Sequence, residues 1–347
     1  MPRFAILAVV GATIATVASQ PALRAFISKW SGIRAPGGVW RILAVLLALA
    51  NLKNLPGVWH IRFFRAFFYQ LYLQPTPIPP HALFQPVVTS TRTPLMETDY
   101  NIHKSNSTYF SDMDVSRTHL FTAIVRNGIL KNSRRYGQGR SQKGVDSAEP
   151  RHDYMIALGG ISCLFKKEIL PYQKFEMWTR LLTWDRKWFY LVTHLVKPGV
   201  AKPPSWTLQP WKKGEKQKKR VNGEEKQYAE ETREKLKGAI FATALAKYVV
   251  KKGRITVPPE EALRNAEMVP LKPEGWEFQS SAHGFVDGDV DSVFPRVVGE
   301  KWNWDIIEAE RLRGLKFAEH FAAFDGLHEV FDGGKNGALG EYADLLF

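Results

Sequence analysis

Cysteine is almost missing from this chain: there is one, Cys163, among 347 residues. A single thiol excludes an internal disulfide framework and any metal site built from clustered cysteines. Cys163 lies in an apolar run and reads as a small buried hydrophobe rather than a nucleophile. Zinc-finger spacings and the aromatic segments of RNA-recognition sheets are also missing. Asp287, Asp289 and Asp291 imitate the start of a calcium loop. The turn position holds Ser292 instead of glycine, however, and the last position holds Val298 instead of a bidentate glutamate, which excludes calcium binding. Acidic residues are the other shortage, with 34 Asp and Glu against 48 Lys and Arg, a net charge of +14. That balance calls for an anionic partner. The missing motifs remove nucleic acid and leave membrane lipid or the phosphates of coenzyme A.

Hydrophobic residues make up 45% of the chain, enough to bury a substantial core in one large or two small domains. Residues 1–80 read as an N-terminal membrane-anchoring helical segment. Phe4 to Ser19 is almost wholly apolar and, at ~1.5 Å per residue, barely spans a hydrocarbon layer of ~30 Å. Small residues around Ala18 also fit a cleavable signal peptide. A second apolar run, Ile42 to Leu52, favours an uncleaved anchor; it is too short to cross and belongs at the interface. Trp59 to Tyr72 sets Arg62 and Arg65 among aromatics, a composition suited to the headgroup zone. Core helices of a soluble domain are the alternative reading. Arg24, Lys29 and Arg34 outweigh Arg3, which keeps the rest of the chain on the cytosolic side. Pro75, Pro77, Pro79 and Pro80 then form a stiff linker.

Residues 85–270 carry an α+β pattern. Val87 to Met96 is a β-rich run. From Asn106, apolar residues at Phe110, Met113, Leu120 and Ile124 mark one helix face, with Ser105 or Asn106 as N-cap and Gly128 as stop. Asp99 therefore stands just ahead of a helix N-terminus, where unpaired backbone N–H groups favour negative charge. A carboxylate beside such a ready oxyanion site is what acyl transfer requires. Lys131 to Arg151 reads as a loop. Strand-like stretches follow at Tyr154–Phe165, Phe175–Thr183 and Trp188–Val196. The last is apolar on both faces, as for a sheet with a helix on one side and a partner on the other. Residues 198–237 are a basic insertion, either simply solvated or a cationic flap for membrane or coenzyme phosphates. Gly238 to Val250 favours helix by its alanines, and Pro258 to Ala266 starts as a short helix. Residues 271–347 form a C-terminal extension in which Trp302 to Phe324 is helical and packs on the core.

The run Asp99-x-x-x-His103-x-x-Asn106-x-x-Tyr109 resembles the signature of hotdog-fold thioesterases of the 4-hydroxybenzoyl-CoA thioesterase type. Glu97 and Ser105 depart from it, standing where that pattern has Asp and Asn. Asp112-x-Asp114-x-x-Arg117 and Thr183-Trp184-Asp185-x-x-Trp188-Phe189-Tyr190 are similar to a membrane-anchored branch that includes thioesterase superfamily member six and fungal relatives. The resemblance implies a long central helix wrapped by a curved antiparallel sheet, with Gly238 to Val250 as its last long strand. It also implies a homodimer with each site near the subunit boundary. The implied reaction is hydrolysis of acyl-CoA, or of acyl groups on a synthase carrier, with no cofactor or metal beyond the coenzyme A thioester substrate. Its implied setting is the endoplasmic reticulum membrane with the catalytic domain cytosolic. Asp99 would be nucleophile or general base, with a turn or capping aspartate as the plain alternative, and His103 a loop-holding residue or general acid. Asn106 would cap the helix or orient the loop; as part of a glycosylation sequon it should be sheltered and carry no sugar. Glu97 and Tyr109 would line the substrate side, with Glu97 either a carboxylate supporting the site or simply a strand-end charge. Hotdog hydratases set His five residues after Asp, one more than here, which disfavours hydration. A non-catalytic acyl-lipid binder on the same fold is the rival reading.

Overall fold

The computed structural model describes residues 20–32, 36–139, 154–203, 205–212, 231, 234–278, 302–333, 335, 338, 339, 341 and 342. The apolar run Phe4–Ser19, most of the basic insertion and the Asp287–Val298 segment lie outside these residues. The chain opens with α1 (Pro21–Ser31), α2 (Gly38–Ala50) and α3 (Val58–Phe68), the last running into a π turn at Tyr69–Leu73. Then come β1 (Val87–Arg92), α4 (Thr108–Gly139), β2 (Tyr154–Phe165), β3 (Lys174–Trp184), β4 (Phe189–Val196), β5 (Ile240–Lys252) and β6 (Ile255–Val257). Helices α5 (Pro259–Asn265) and α6 (Trp304–Ala322) complete the order.

The strands form one antiparallel sheet in the order β1-β3-β4-β5-β2, with β6 pairing the end of β5. Register shifts at Leu158/Gly160, Leu181/Thr183 and Leu195/Val196 are bulges, which sharpen local twist and curl the sheet. Gly159 is required at the first of them: a Cβ there would sit 2.3 Å from the Trp188 ring. The concave face wraps α4. Leu120, Phe121, Ile124 and Val125 of the helix are buried with Leu181, Phe189, Leu191 and Val250 of the sheet. Nearer the helix start, Tyr109 and Met113 pack with Phe175, Met177 and Leu195. A buried hydroxyl ladder crosses between them, from Ser116 Oγ to Thr179 Oγ1 (2.8 Å) to Thr193 Oγ1 (3.0 Å).

Several expectations change. Gly128 does not stop α4, which continues to Gly139, so the first part of the expected 131–151 loop is helical. Ala-rich 240–252 is a strand because it is paired on both sides, by β4 and by β2; tertiary pairing outweighs a weak helix propensity. The partner on the outer face of β4 is the chain's own α6. Tyr190 packs there with Ala318 and Phe321, and Thr183 Oγ1 donates to the Arg311 carbonyl at 2.6 Å. No helix of the described residues is long and apolar enough to cross a membrane. Lys53, just after α2, and Arg62 of α3 both bind Asp112 of α4. Arg62, expected among lipid headgroups, reaches inward to the buried Asp112 at 2.8 Å.

Candidate active site

Pro94 and a 3₁₀ turn at Leu95–Glu97 end β1 and send the chain into a tight loop. The loop closes through backbone bonds from Ser105 N to Glu97 O (2.7 Å) and Asp99 N to His103 O (2.9 Å). At its tip Ile102 takes the left-handed conformation, φ 60°, a strained choice for a β-branched residue. Asp99 supports this turn: its Oδ1 accepts from Asn101 N at 2.9 Å and from His103 N at 3.4 Å. Its other oxygen meets no protein donor among the described residues and is free for an incoming group. A further strut ties Lys104 N to Ile169 O (2.8 Å), clipping the loop to the β2–β3 connection.

Helix α4 starts at Thr108, one or two residues later than a Ser105 or Asn106 cap implies. Thr108 both donates its N–H and its hydroxyl to the Ser105 carbonyl, at 3.0 and 2.7 Å. Asn106 is exposed and makes no side-chain hydrogen bond among the described residues, so it neither caps the helix nor is sheltered. The first-turn N–H groups of α4 have no carbonyl of their own helix to meet, which leaves the positive end of a buried helix next to the Asp99 loop. Among the described residues the imidazole of His103 likewise has no hydrogen-bond partner; its backbone does the tying.

Beneath the loop lies a buried ion network. Lys104 Nζ meets Glu97 at 2.5 Å and Asp112 at 3.0 Å. Lys53 Nζ meets the same two carboxylates at 2.7 and 2.9 Å, and Arg62 adds its contact to Asp112. Burial alone would raise the Asp112 carboxyl, but Lys104, Lys53 and Arg62 together hold it below the ordinary carboxylate range. Burial pulls Lys53 below the usual lysine range against the attraction of Asp112. Glu97, read as a substrate-side residue, is thus engaged with two lysines under the loop. Tyr109 lies below the same ammonium, 5.3 Å from its ring centroid, and edge-on to Phe165 at 5.0 Å. Burial pushes the Tyr109 phenol well up, with Cys163, Glu168 and Asp99 adding to it. Burial also raises the Cys163 thiol to about 11, which fits an inert cysteine.

The structure therefore brings Glu97, Asp99, His103 and Tyr109 to one place and leaves Asn106 at its rim. Sequence reasoning missed Lys53 and Lys104. Lys104 lay inside the motif, at a position without a required type. Lys53 comes from a segment fifty residues upstream, and no local pattern links the two.

A family model described as the thioesterase-like superfamily matches residues 93–224. The chain is 33% identical over 314 residues to a probable thioesterase, atnL, of Emericella nidulans, covering 87% of this chain and 91% of the relative. It is 33% identical over 316 residues to thioesterase poxG of Penicillium oxalicum, covering 87% and 92%. Among solved structures, a gentisyl-coenzyme A thioesterase aligns at 15% identity and TM-score 0.29, over 52% of this chain and 98% of that one.

Proposed function

Because the chain belongs to the thioesterase-like superfamily, we propose that it hydrolyses acyl-CoA, or acyl groups on a carrier's phosphopantetheine arm, with Asp99 as the reacting carboxylate. The observation that carries this reading is the Asp99 carboxylate on a closed loop directly ahead of the N-terminus of buried α4. The carboxylate either attacks the thioester carbon, giving an acyl anhydride that water then opens, or takes a proton from the water that attacks. Either route releases a carboxylic acid and a thiol. Charge developing on the carbonyl oxygen is met by first-turn N–H groups and the helix dipole. A simple thiol has a pKa of about 8.5, so it leaves without a strong acid; His103 then serves chiefly as part of the loop. The Lys53–Glu97–Lys104–Asp112 network keeps that loop in register with the helix.

In this reading the enzyme works as a homodimer. In support, β2 ends the sheet with an edge that pairs with no strand among the described residues and exposes Met155, Leu158, Leu164 and Phe165. It also sits on a membrane, at the endoplasmic reticulum with the catalytic domain facing the cytosol; the exposed apolar surface of α2 supports attachment. The test measures thiol release from acyl-CoA of two to sixteen carbons by wild type and Asp99→Asn. Release cut by at least a hundredfold, with the circular dichroism unchanged, is expected. Equal release by the variant would remove Asp99 from the chemistry. No release from any thioester while acyl ligand stays bound would make the protein a binder.

A further inference from the structure

Helix α2 is apolar around most of its circumference, with Arg41 near its start the one charge, and is largely uncovered. Trp40 is 75% exposed, Val39 66%, Leu49 62% and Val45 58%. At 100° per residue these positions point in different directions around the axis. A protein partner would cover one stripe; a helix apolar around most of its circumference is satisfied inside a nonpolar phase, with Arg41 reaching out to the headgroups. Thirteen residues span only about 20 Å, short of the ~30 Å hydrocarbon layer, so α2 enters one leaflet without crossing.

This surface does not end at α2. Asn51, wholly buried at its C-terminus, accepts from Met96 N at 2.8 Å and donates to Leu47 O at 2.9 Å. Two residues on, Lys53 binds Glu97 and Asp112 beneath the loop. The apolar helix is therefore fixed to the segment that presents Asp99. That segment is itself greasy outside: Met96 is 64% exposed, Tyr100 93% and Ile102 64%. The neighbouring β2–β3 connection, clipped to it through Lys104 and Ile169, exposes Leu170 and Tyr172. The same segments carry exposed basic side chains suited to anionic headgroups: Arg41, Arg92, Lys166 and Lys167, of which Arg92 also donates to the Tyr172 carbonyl, Lys166 to that of Lys237 and Lys167 to that of Gly238.

We infer that the Asp99 loop and α2 form one lipid-contact surface, so that the site opens onto an anionic bilayer and draws bilayer-partitioned long-chain acyl thioesters from it. The inference rests on the thioesterase reading for its substrate, but its test separates the two. Single nitroxides are placed at Trp40, Met96 and, as a distant control, Leu271 of the full chain carrying Cys163→Ser. Vesicles of phosphatidylcholine with about one-fifth phosphatidylserine are added, and accessibility to oxygen and to a water-soluble nickel complex is read. Labels at 40 and 96 should both gain oxygen and lose nickel accessibility several-fold, while the label at 271 stays unchanged. Trp40→Asp with Leu46→Asp should cut vesicle binding at least tenfold. Vesicles should raise thiol release from palmitoyl-CoA at least fivefold relative to butyryl-CoA.

A label at 96 that stays in water while the label at 40 enters lipid overturns the inference, leaving α2 as a bare anchor. A label at 96 already buried in lipid-free protein that sediments as a dimer also overturns it, giving the surface to a second copy. Normal thiol release with no lipid effect sinks only this inference. Lipid burial of both labels with no thiol release in any arm sinks only the hydrolase.

Discussion

Replacing Asp112 by Asn should be among the most damaging single changes in this chain. Its carboxylate is wholly buried and lies 2.8, 2.9 and 3.0 Å from Arg62, Lys53 and Lys104. The network sets three cations against two carboxylates, Glu97 and Asp112; the substitution leaves three against one. Removing one partner of a buried pair costs about 3–5 kcal/mol, because the remaining charge stays desolvated without compensation. Against a total stability of about 5–15 kcal/mol that is a large fraction. At about 2–4 °C per kcal/mol, the melting temperature should fall by about 10 °C. Urea unfolding followed by tryptophan fluorescence measures the loss directly. Adding Lys53→Met to Asp112→Asn restores the original excess of one positive charge, two cations against one carboxylate. The double variant should then be at least about 1 kcal/mol more stable than the two single losses add up to. A single-variant loss below about 1 kcal/mol, or strict additivity, would refute the idea that these charges act as one buried unit.

Other outcomes follow from the same geometry. Burial and the nearby Arg65 hold the His119 imidazole down at about 4, and burial with Arg180 does the same for His194. Their folded values lie below the ~6.5 of an unfolded histidine, so the stability they support is complete above pH 6.5 and lost as pH falls toward 4, by roughly 3 kcal/mol each; His194→Gln should flatten the pH profile of unfolding. Gly314→Ala would place a Cβ 2.3 Å from the Leu182 carbonyl oxygen and 2.8 Å from Thr183 Cβ, forcing α6 off the sheet at a cost of about 1–3 kcal/mol in a thermal melt. Arg117 is buried; its Nη2 pairs with the part-exposed Asp114 at 2.6 Å, while Nε and Nη1 have no partner among the described residues. Because water can solvate Asp114 in its place, Arg117→Met should change stability by no more than about 1 kcal/mol in urea titration. Cys163, raised to about 11, should alkylate with iodoacetamide at pH 8 roughly a hundredfold more slowly than a free cysteine.

The sequence by itself determined the elements whose side-chain spacing matches one local period. Met113, Leu120 and Ile124 recur at helical intervals and are buried on α4. The two-faced apolar run of β4 required cover on both sides, and it has it. The Asp99 turn was legible because its bonds join residues two and four apart. What filled the second face of β4 was not legible, since α6 returns from more than a hundred residues downstream. Nor was the stopping point of α4: Gly128 weakens a helix only mildly, and there it lies in close contact with α5 and Tyr154. Arg62 and Lys53 show the limit most clearly. Arg62 had the composition of a headgroup residue among aromatics, yet both cations turn inward because a buried Asp112 offers more than solvent does. Pairing a desolvated carboxylate is a long-range demand of the folded core, and only the tertiary structure could decide which distant cations would meet it.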